Sequence, residues 1–301
     1  MIGIVILNYK TWEDTIACIE SIQKTTNCNY KIYVVDNKSP DDSYKQLQAA
    51  LGNNNKVTLI EADRNGGYSA GNNVGIKLAL NDGAEAVLLS NSDIIFYENS
   101  IDIINEYIKK NPQVGIVGPK VILQDGRIQH FVRENYTFYN YIFSKKPFVN
   151  LDFFGINNKT MNKNYKYEKE LQFSGILSGC CIALTKNYFK KCGLLDENVF
   201  LYYEEAIMSY KAQKYNLLTC LLPESKVLHK SSVSIGNKQS AFSRYHRYYS
   251  SMYFLRKYVK INILEYSLVF IINFMPFLIN SINKKEYRKM LKTFIKESKR
   301  L

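Results

Sequence analysis

What the chain lacks narrows it first. Its six cysteines (Cys18, Cys28, Cys180, Cys181, Cys192 and Cys220) form no C-x-x-C pair, and two of them are adjacent. In a chain of 301 residues this argues against a zinc cluster and against a disulfide framework, so reduced, mostly buried thiols in a cytosolic protein are expected. The opening Met1 to Leu7 has no basic n-region and no small-residue cleavage site, and no secretory leader is expected. Neither a P-loop nor a G-x-G-x-x-G run is present, and both of those nucleotide-binding classes lose weight. An uninterrupted apolar span is missing too. Residues 263–282 are strongly apolar but contain Glu265, Asn273, Pro276 and Asn280, which argues against a clean transmembrane helix.

What is present is globular: 46% hydrophobic residues, with 24 Tyr and 16 Phe beside a single Trp, suffice for a large core. The net charge of +13 is unevenly placed. From Lys226 onward there are 16 Lys and Arg against Glu265, Glu286 and Glu297, leaving 24 basic and 24 acidic residues for positions 1–225. Within that tail, residues 284–301 put Tyr287, Met290, Leu291, Phe294 and Ile295 on one helical face, with Lys284, Lys285, Arg288, Lys289, Lys292, Lys296 and Lys299 around it. A basic amphipathic helix beside an apolar segment has the composition of one lying in an anionic membrane surface. A packed helix with a solvated basic face, or an RNA-binding patch, has the same composition.

The chain is organised around Ala86-Val87-Leu88-Leu89-Ser90-Asn91-Ser92-Asp93-Ile94, an apolar run into a polar tip that ends in one carboxylate. It reads as a buried parallel strand opening on a ligand crevice, with Asp93 a metal or substrate ligand; a strand followed by an Asn/Ser/Asp turn is the alternative. Ile2 to Leu7 and Lys31 to Val35 are further strands, ending in Asn8-Tyr9-Lys10 and in Asp36-Asn37-Lys38-Ser39, with a helical pattern between them. A right-handed, parallel α/β sheet follows from this order. After a strand at 57–60, residues 63–73 hold three Gly and three Asn and lead into a helix. They form either a cradle for an anionic group at a helix N-terminus or a Gly/Asn turn. Val114 to Lys120 and Leu177 to Leu184 are two more strands, and residues 131–172 are an aromatic flap, packed on the core or stacking on sugar rings. Glu204-Glu205 heads a helix that runs through Met208 and Lys211, as acids complementing its dipole or with one acting as a general base. His229, the second of three histidines, gains interest if it joins Asp93 around one ion.

In this order the motifs over roughly residues 2–235 resemble the family 2 glycosyltransferases, in particular the bacterial rhamnosyltransferase-like branch of the GT-A fold. Ile4 to Tyr9 is similar to the family's opening strand, Val35-Asp36-Asn37-Lys38-Ser39 to its V-D-N-x-S segment, and Asn65 to Asn73 to its N-x-G-[FY]-[AS]-x-G-x-N signature. Asn91-Ser92-Asp93 stands at the metal motif, Ser178-Gly179 with Gly193 to Glu197 at the acceptor-side segment, and Tyr203-Glu204-Glu205 at the E-D pair. The resemblance implies a GT-A catalytic domain over 1–235 and a basic helical, membrane-associating region over 236–301. It also implies an inverting transfer from a nucleotide-diphosphate sugar, dTDP-rhamnose ahead of a UDP-hexose, to a hydroxyl of a lipid-linked saccharide in bacterial surface polysaccharide synthesis. Glu205, with Glu204, takes the catalytic positions. Asn8, Tyr9, Asp36, Asn37, Asn65, Gly66, Gly67, Asn73, Asn91 and Ser92 fall on the donor side. Gly179, Asp196 and Glu197 fall on the acceptor side. Asp93, with His229, would hold Mn²⁺ or Mg²⁺, and the enzyme would sit on the inner face of the plasma membrane.

Four positions depart from the pattern: Glu205 replaces the usual Asp, Asn91 replaces the first Asp of the metal motif, and Ile207 and Lys211 stand where an Asp and an Arg are common. A sugar-phosphate nucleotidyltransferase would need an N-terminal glycine-rich signature with Arg and Lys, which Asn8-Tyr9-Lys10 is not. A nucleic-acid-binding protein would explain the charge, but a neutral body with a basic tail suits a membrane better.

Overall fold

The structure, a computed structural model, describes residues 1–52, 54–129, 132–145, 167–230 and 240–301. Its first third alternates strand and helix: β1 (Ile2–Asn8), α1 (Trp12–Thr25), β2 (Tyr30–Asp36), α2 (Ser43–Leu51), β3 (Val57–Glu61), α3 (Gly67–Asn81) and β4 (Ala86–Asn91). The side chains of β1 alternate between two layers, as a pleated strand requires. Ile2, Ile4 and Ile6 pack with Cys18, Ile19 and Ile22 of α1, whereas Val5 packs with Ile76 and Ala79 of α3. On that second face α3 lies very close to the sheet, because a Cβ on Gly75 would stand 2.6 Å from Val5 Cγ1.

The chain continues through β5 (Ile94–Phe96), α4 (Ser100–Lys110), β6 (Val114–Leu123), β7 (Arg133–Glu134), α5 (Phe138–Phe143), β8 (Leu171–Phe173), β9 (Gly175–Ile176), β10 (Cys181–Thr185), α6 (Lys186–Cys192), α7 (Glu204–Lys214) and β11 (Leu218–His229). The main sheet has the order β3-β2-β1-β4-β10-β6-β11-β5, with β8 also on β11. It is mostly parallel, as expected: β1 to β4 are parallel, and so are β6 and β11, but β10 runs antiparallel between β4 and β6. The cause is local. The chain re-enters the sheet beside the far end of β4, where Asn91 N–H donates to the Cys180 carbonyl at 2.8 Å, so β10 can only run back the other way. β11 carries no strand pattern of its own in the sequence. Pro223, which cannot donate to a ladder, sits in it where the register with β6 shifts between Leu222 and Lys226.

Residues 131–172 are only partly described. Within them α5 begins at a capping box made by Thr137 and Asn140. The aromatic stretch at Phe153-Phe154-Gly155, Ser231 to Ser234 and the expected boundary at 235/236 all lie outside the described residues. The C-terminal region is helical: α8 (Ala241–Phe254), a π-helical turn at Leu255–Val259, α9 (Ile263–Asn283) and α10 (Lys285–Ser298). Asn262 and Glu265 form a capping box that starts α9. The helix buries Tyr266, Val269, Asn273, Phe277 and Ser281 on one side. There Phe277 stacks on Phe294 of α10 at 5.2 Å between ring centroids, and Asn273 Oδ1 accepts from the Tyr141 hydroxyl of α5 at 2.8 Å. The same hydrophobic cluster takes in Val199 and the α7 residues Ala206 and Ile207. The other side of α9 is open: Leu264, Leu268, Ile271, Met275, Ile279 and Ile282 are all exposed, Leu264 to 79%. Among the described residues α9 is one helix long and apolar enough to cross a membrane, yet one side is packed on protein along its length.

Candidate active site

The register of the sheet assembles the site. Asn8 of β1 lies opposite Asp36 of β2, and Leu7 lies opposite Asn91 of β4, so three strands deliver their polar tips to one edge. Open α/β sheets bind ligands at this kind of edge.

On one flank Asp36 is fully buried and saturated. Its Oδ2 accepts from Asn8 Nδ2 at 2.7 Å and from the Ser39 hydroxyl at 2.7 Å, while Oδ1 accepts from Ser39 N–H at 2.9 Å. Asn8, also buried, accepts at Oδ1 from Thr15 Oγ1 at 2.8 Å and from Thr11 Oγ1 at 3.3 Å. It stands behind Asp36 as a brace, whereas Tyr9 is 41% exposed beside it. Asn37 Nδ2 donates to Asn65 Oδ1 at 3.0 Å and to the Gly67 carbonyl at 3.2 Å, which pins the glycine loop to the end of β2. Asn65 Oδ1 in turn accepts from Gly67 N–H at 3.1 Å. Gly66 N–H points to Asn37 Oδ1 at 3.4 Å. Gly67 is irreplaceable on two counts: its φ is 82°, and a Cβ there would collide with the Phe200 carbonyl. Asn73 is buried and turned away from this loop. Its amide clasps the acceptor-side segment, with Nδ2 donating to Leu195 O at 3.0 Å and Glu197 Oε1 at 2.8 Å, and Oδ1 accepting from Leu195 N–H at 3.0 Å.

Past β4, Ser92 Oγ is 2.9 Å from Thr11 Oγ1, and Asp93 is 8% exposed. The structure brings Asp93 and His229 together: Asp93 Oδ2 and His229 Nε2 are 3.3 Å apart, although 136 positions separate them in the chain. Pairing of β5 with β11 sets His229 opposite Ile94, next to Asp93. A carboxylate and an imidazole facing each other suit a divalent cation whose remaining positions go to phosphate oxygens and water.

Glu204 and Glu205 open α7 directly after Tyr202 and Tyr203, both at φ 70°. Glu205 Oε1 accepts from Gly179 N–H at 3.2 Å, and a Cβ on Gly179 would stand 2.5 Å from that oxygen. Gly179 is also tied to the glycine loop, its carbonyl accepting from the Tyr68 hydroxyl at 2.9 Å. Burial raises both carboxyls above the ordinary range, and the neighbouring Glu205 charge raises Glu204 further. Glu205 is held lower by backbone N–H donors, its own and that of Gly179, and by the Arg133 charge. Glu204 Oε1 is buried without a hydrogen-bond partner. Asp93 and Glu205 share a neighbour: burial, then the Asp93 charge, then that of Glu205, push the Cys180 thiol up to about 12, against a lowering by Ser178. Asn91 N–H donates to the Cys180 carbonyl and Gly179 N–H to Glu205, so the end of β4 and the head of α7 meet at one short turn.

Asp196 faces the C-terminal helices. Its Oδ2 accepts from the hydroxyls of Tyr253 at 2.8 Å and Tyr258 at 2.5 Å. Lys211 donates to the Leu194 carbonyl at 2.9 Å, and Ile207 lies in the core. Five participants carried no role of their own in the sequence: Thr11, Ser39, Tyr68, Gln129 and Arg133, although Ser39 and Tyr68 stand inside the motifs that carry the family resemblance. Ser39 had a signal, since a Ser three residues after an Asp is a common turn-former. The others depend on which strands meet.

The family model for glycosyl transferase family 2 matches residues 3–192. The chain belongs to this family. Among its relatives, the low-salt glycan biosynthesis hexosyltransferase Agl10 of Haloferax volcanii is 26% identical, over 81% of this chain and 72% of that protein. The dTDP-rhamnosyl transferase RfbF of Shigella flexneri is 27% identical over 78% and 73%. The N-acetylglucosaminyl-diphospho-decaprenol L-rhamnosyltransferase of Mycobacterium tuberculosis is 24% identical over 72% of each chain. In solved structures the fold matches GalNAc-T7 with UDP, GalNAc and Mn²⁺, with a TM-score of 0.61 at 15% identity over 86% of this chain and 48% of that one. It also matches the mannosyltransferase PcManGT of Pyrobaculum calidifontis with GDP-Man and Mn²⁺, with a TM-score of 0.56 at 12% identity over 99% and 85%. The fold is that of the GT-A glycosyltransferases and the enzyme is a glycosyltransferase.

Proposed function

We propose that the chain transfers a sugar with inversion from a nucleotide-diphosphate donor, dTDP-rhamnose or a UDP-hexose, to a hydroxyl of a lipid-linked saccharide in bacterial surface polysaccharide assembly. The observation that carries this is the meeting of two carboxylates at one strand edge: Asp93, facing His229, follows Asn91, whose N–H bonds the Cys180 carbonyl, and Glu205 sits on the N–H of the adjacent Gly179. The relatives that use dTDP-rhamnose and a decaprenol-linked substrate support the donor and acceptor classes.

In this reading Asp36 and Tyr9 receive the nucleoside, with Asn8 and Ser39 fixing Asp36. Asn37, Asn65, Gly66 and Gly67 shape the sugar-diphosphate side together with Asn91 and Ser92. Asp93 and His229 would hold Mn²⁺ or Mg²⁺, which supplies Lewis-acid neutralisation of the leaving diphosphate when bound. Glu205 takes the acceptor hydroxyl's proton as its oxygen bonds to the sugar C1 and the C1–oxygen bond to the diphosphate breaks. Gly179 holds Glu205 in place, Glu204 sets the charge beside it, and Asp196 and Glu197 frame the acceptor side by fixing the 194–200 backbone. The catalytic unit spans residues 1–235. Residues 236–301 bring it to an anionic membrane surface on the cytoplasmic side, through the open side of α9 and the lysines of α10.

The test is Glu205→Gln. Turnover should fall about 10²- to 10⁴-fold with nucleotide affinity unchanged. Turnover within a few-fold of wild type would remove Glu205 from the base position.

A further inference from the structure

His229 has two ring nitrogens, and only one faces Asp93. The other, Nδ1, lies 2.8 Å from Gln129 Oε1. Both residues are held by backbone: Gln129 N–H donates to the Val121 carbonyl of β6 at 2.9 Å, and His229 is paired with Leu123 of the same strand. The amide of Gln129 is itself oriented. Ser178 Oγ gives its proton to Cys180 Sγ at 3.3 Å and accepts from Gln129 Nε2 at 3.1 Å, which leaves the Gln129 carbonyl oxygen for the imidazole.

A carbonyl oxygen can only accept, so Nδ1 must carry the hydrogen that it receives. In a neutral imidazole the lone pair then lies on Nε2, the atom 3.3 Å from Asp93 Oδ2. Ligating histidines are ordinarily oriented through their second nitrogen in this way.

We propose that Gln129 is a positioning residue that locks His229 in the Nδ1–H tautomer and aims its Nε2 lone pair at the cation position beside Asp93, with Ser178 setting the direction of the chain. The inference rests on the reading of Asp93 and His229 as cation ligands, and its test separates the two. Gln129→Met removes the acceptor at nearly constant shape. Gln129→Glu keeps an oxygen acceptor for Nδ1–H.

Two readouts apply to the full-length protein. The first is the side-chain ¹⁵N–¹H spectrum of His229, assigned with His229→Ala, in mildly alkaline buffer without metal. The wild type and Gln129→Glu should show hydrogen on Nδ1, and Gln129→Met should lose it in favour of Nε2–H, which the facing Asp93 carboxylate accepts. The second is Mn²⁺ affinity in the presence of UDP or dTDP, which should fall about 10- to 100-fold in Gln129→Met and far less in Gln129→Glu. Should Gln129→Met not fold, Ser178→Ala frees the Gln129 amide to turn over and should also shift the hydrogen toward Nε2.

An unchanged His229 spectrum in Gln129→Met, or in Ser178→Ala where that variant stands in for it, overturns the proposal. So does a Gln129→Glu variant as impaired as Gln129→Met. A wild-type protein that adds nothing to the Mn²⁺ affinity of the free nucleotide overturns the cation reading itself. The tautomer spectrum still decides whether Gln129 orients the ring.

Discussion

Glu204 has one carboxylate oxygen buried without a partner and Glu205 beside it, so ionising it in the folded chain is costly. The sign follows from linkage. A carboxyl raised by folding binds protons that the unfolded chain has released, so its contribution favours the fold at acid pH and is lost as pH rises through the folded value. Glu204→Gln removes this dependence. By scanning calorimetry its melting temperature should exceed that of the wild type by at least about 2 °C above neutral pH, with the gap closing as pH falls toward ~4.3. A constant gap across pH would show that folding does not raise Glu204. Asp93 and Glu205 were legible in the sequence because each ends or heads an apolar run at a chemically useful place. Gln129 was not, since G-R-I-Q-H carries no pattern. Its partner is 100 positions away and arrives only through the pairing of β6 with β11.

At the level of elements, the first four strands and the helices between them could be read directly, because strands buried on both faces are continuous apolar runs. The direction of β10 and the existence of β11 could not. One is set by where the chain re-enters the sheet, and the other contains Pro223, Glu224 and Lys226. The loop before α3 was legible as a turn or a cradle, and the structure adds what closes it, the carbonyl of Phe200 against Gly67. Gly67→Ala should therefore lower donor-nucleotide affinity about tenfold or more, as measured by calorimetric titration, with a lower melting temperature as well. Unchanged affinity would separate this loop from the donor. α9 resolves an ambiguity of composition: its polar Asn273 is bonded inward to Tyr141, and its apolar stripe faces out. Ile271→Glu with Ile279→Glu alters only exposed positions, and should release most of the protein from phosphatidylglycerol vesicles in flotation while the melting temperature holds. Equal flotation would assign the stripe to another partner. Truncation is the wrong instrument here, because removing α9 and α10 uncovers Phe254 and Tyr141.

Over the whole molecule, a charge-balanced body and a basic tail were plain from the sequence, but their union was not. Val199, Ala206 and Ile207 from the catalytic part share one hydrophobic cluster with α8, α9 and α10, and Asp196 adds two tyrosine hydroxyls to that seam. The segment that carries Glu204 and Glu205 is thus braced by the C-terminal helices. Thr11 makes a second union, across the site. Its hydroxyl touches Asn8, which braces Asp36, and also Ser92, next to Asp93. With the nucleoside at Asp36 and the cation at Asp93, as proposed, the two positions would share one hydrogen-bonded link and should not fill independently. Mn²⁺ should raise the affinity for uridine or thymidine, which lack phosphates to touch the ion, by about fivefold, and the nucleoside should raise that for Mn²⁺ by the same factor. Thr11→Val should bring both factors to one while leaving each single affinity in place. Under that coupling two hydroxyls would make the strand edge a conjunction, engaged more tightly by the two ligands jointly than by either alone.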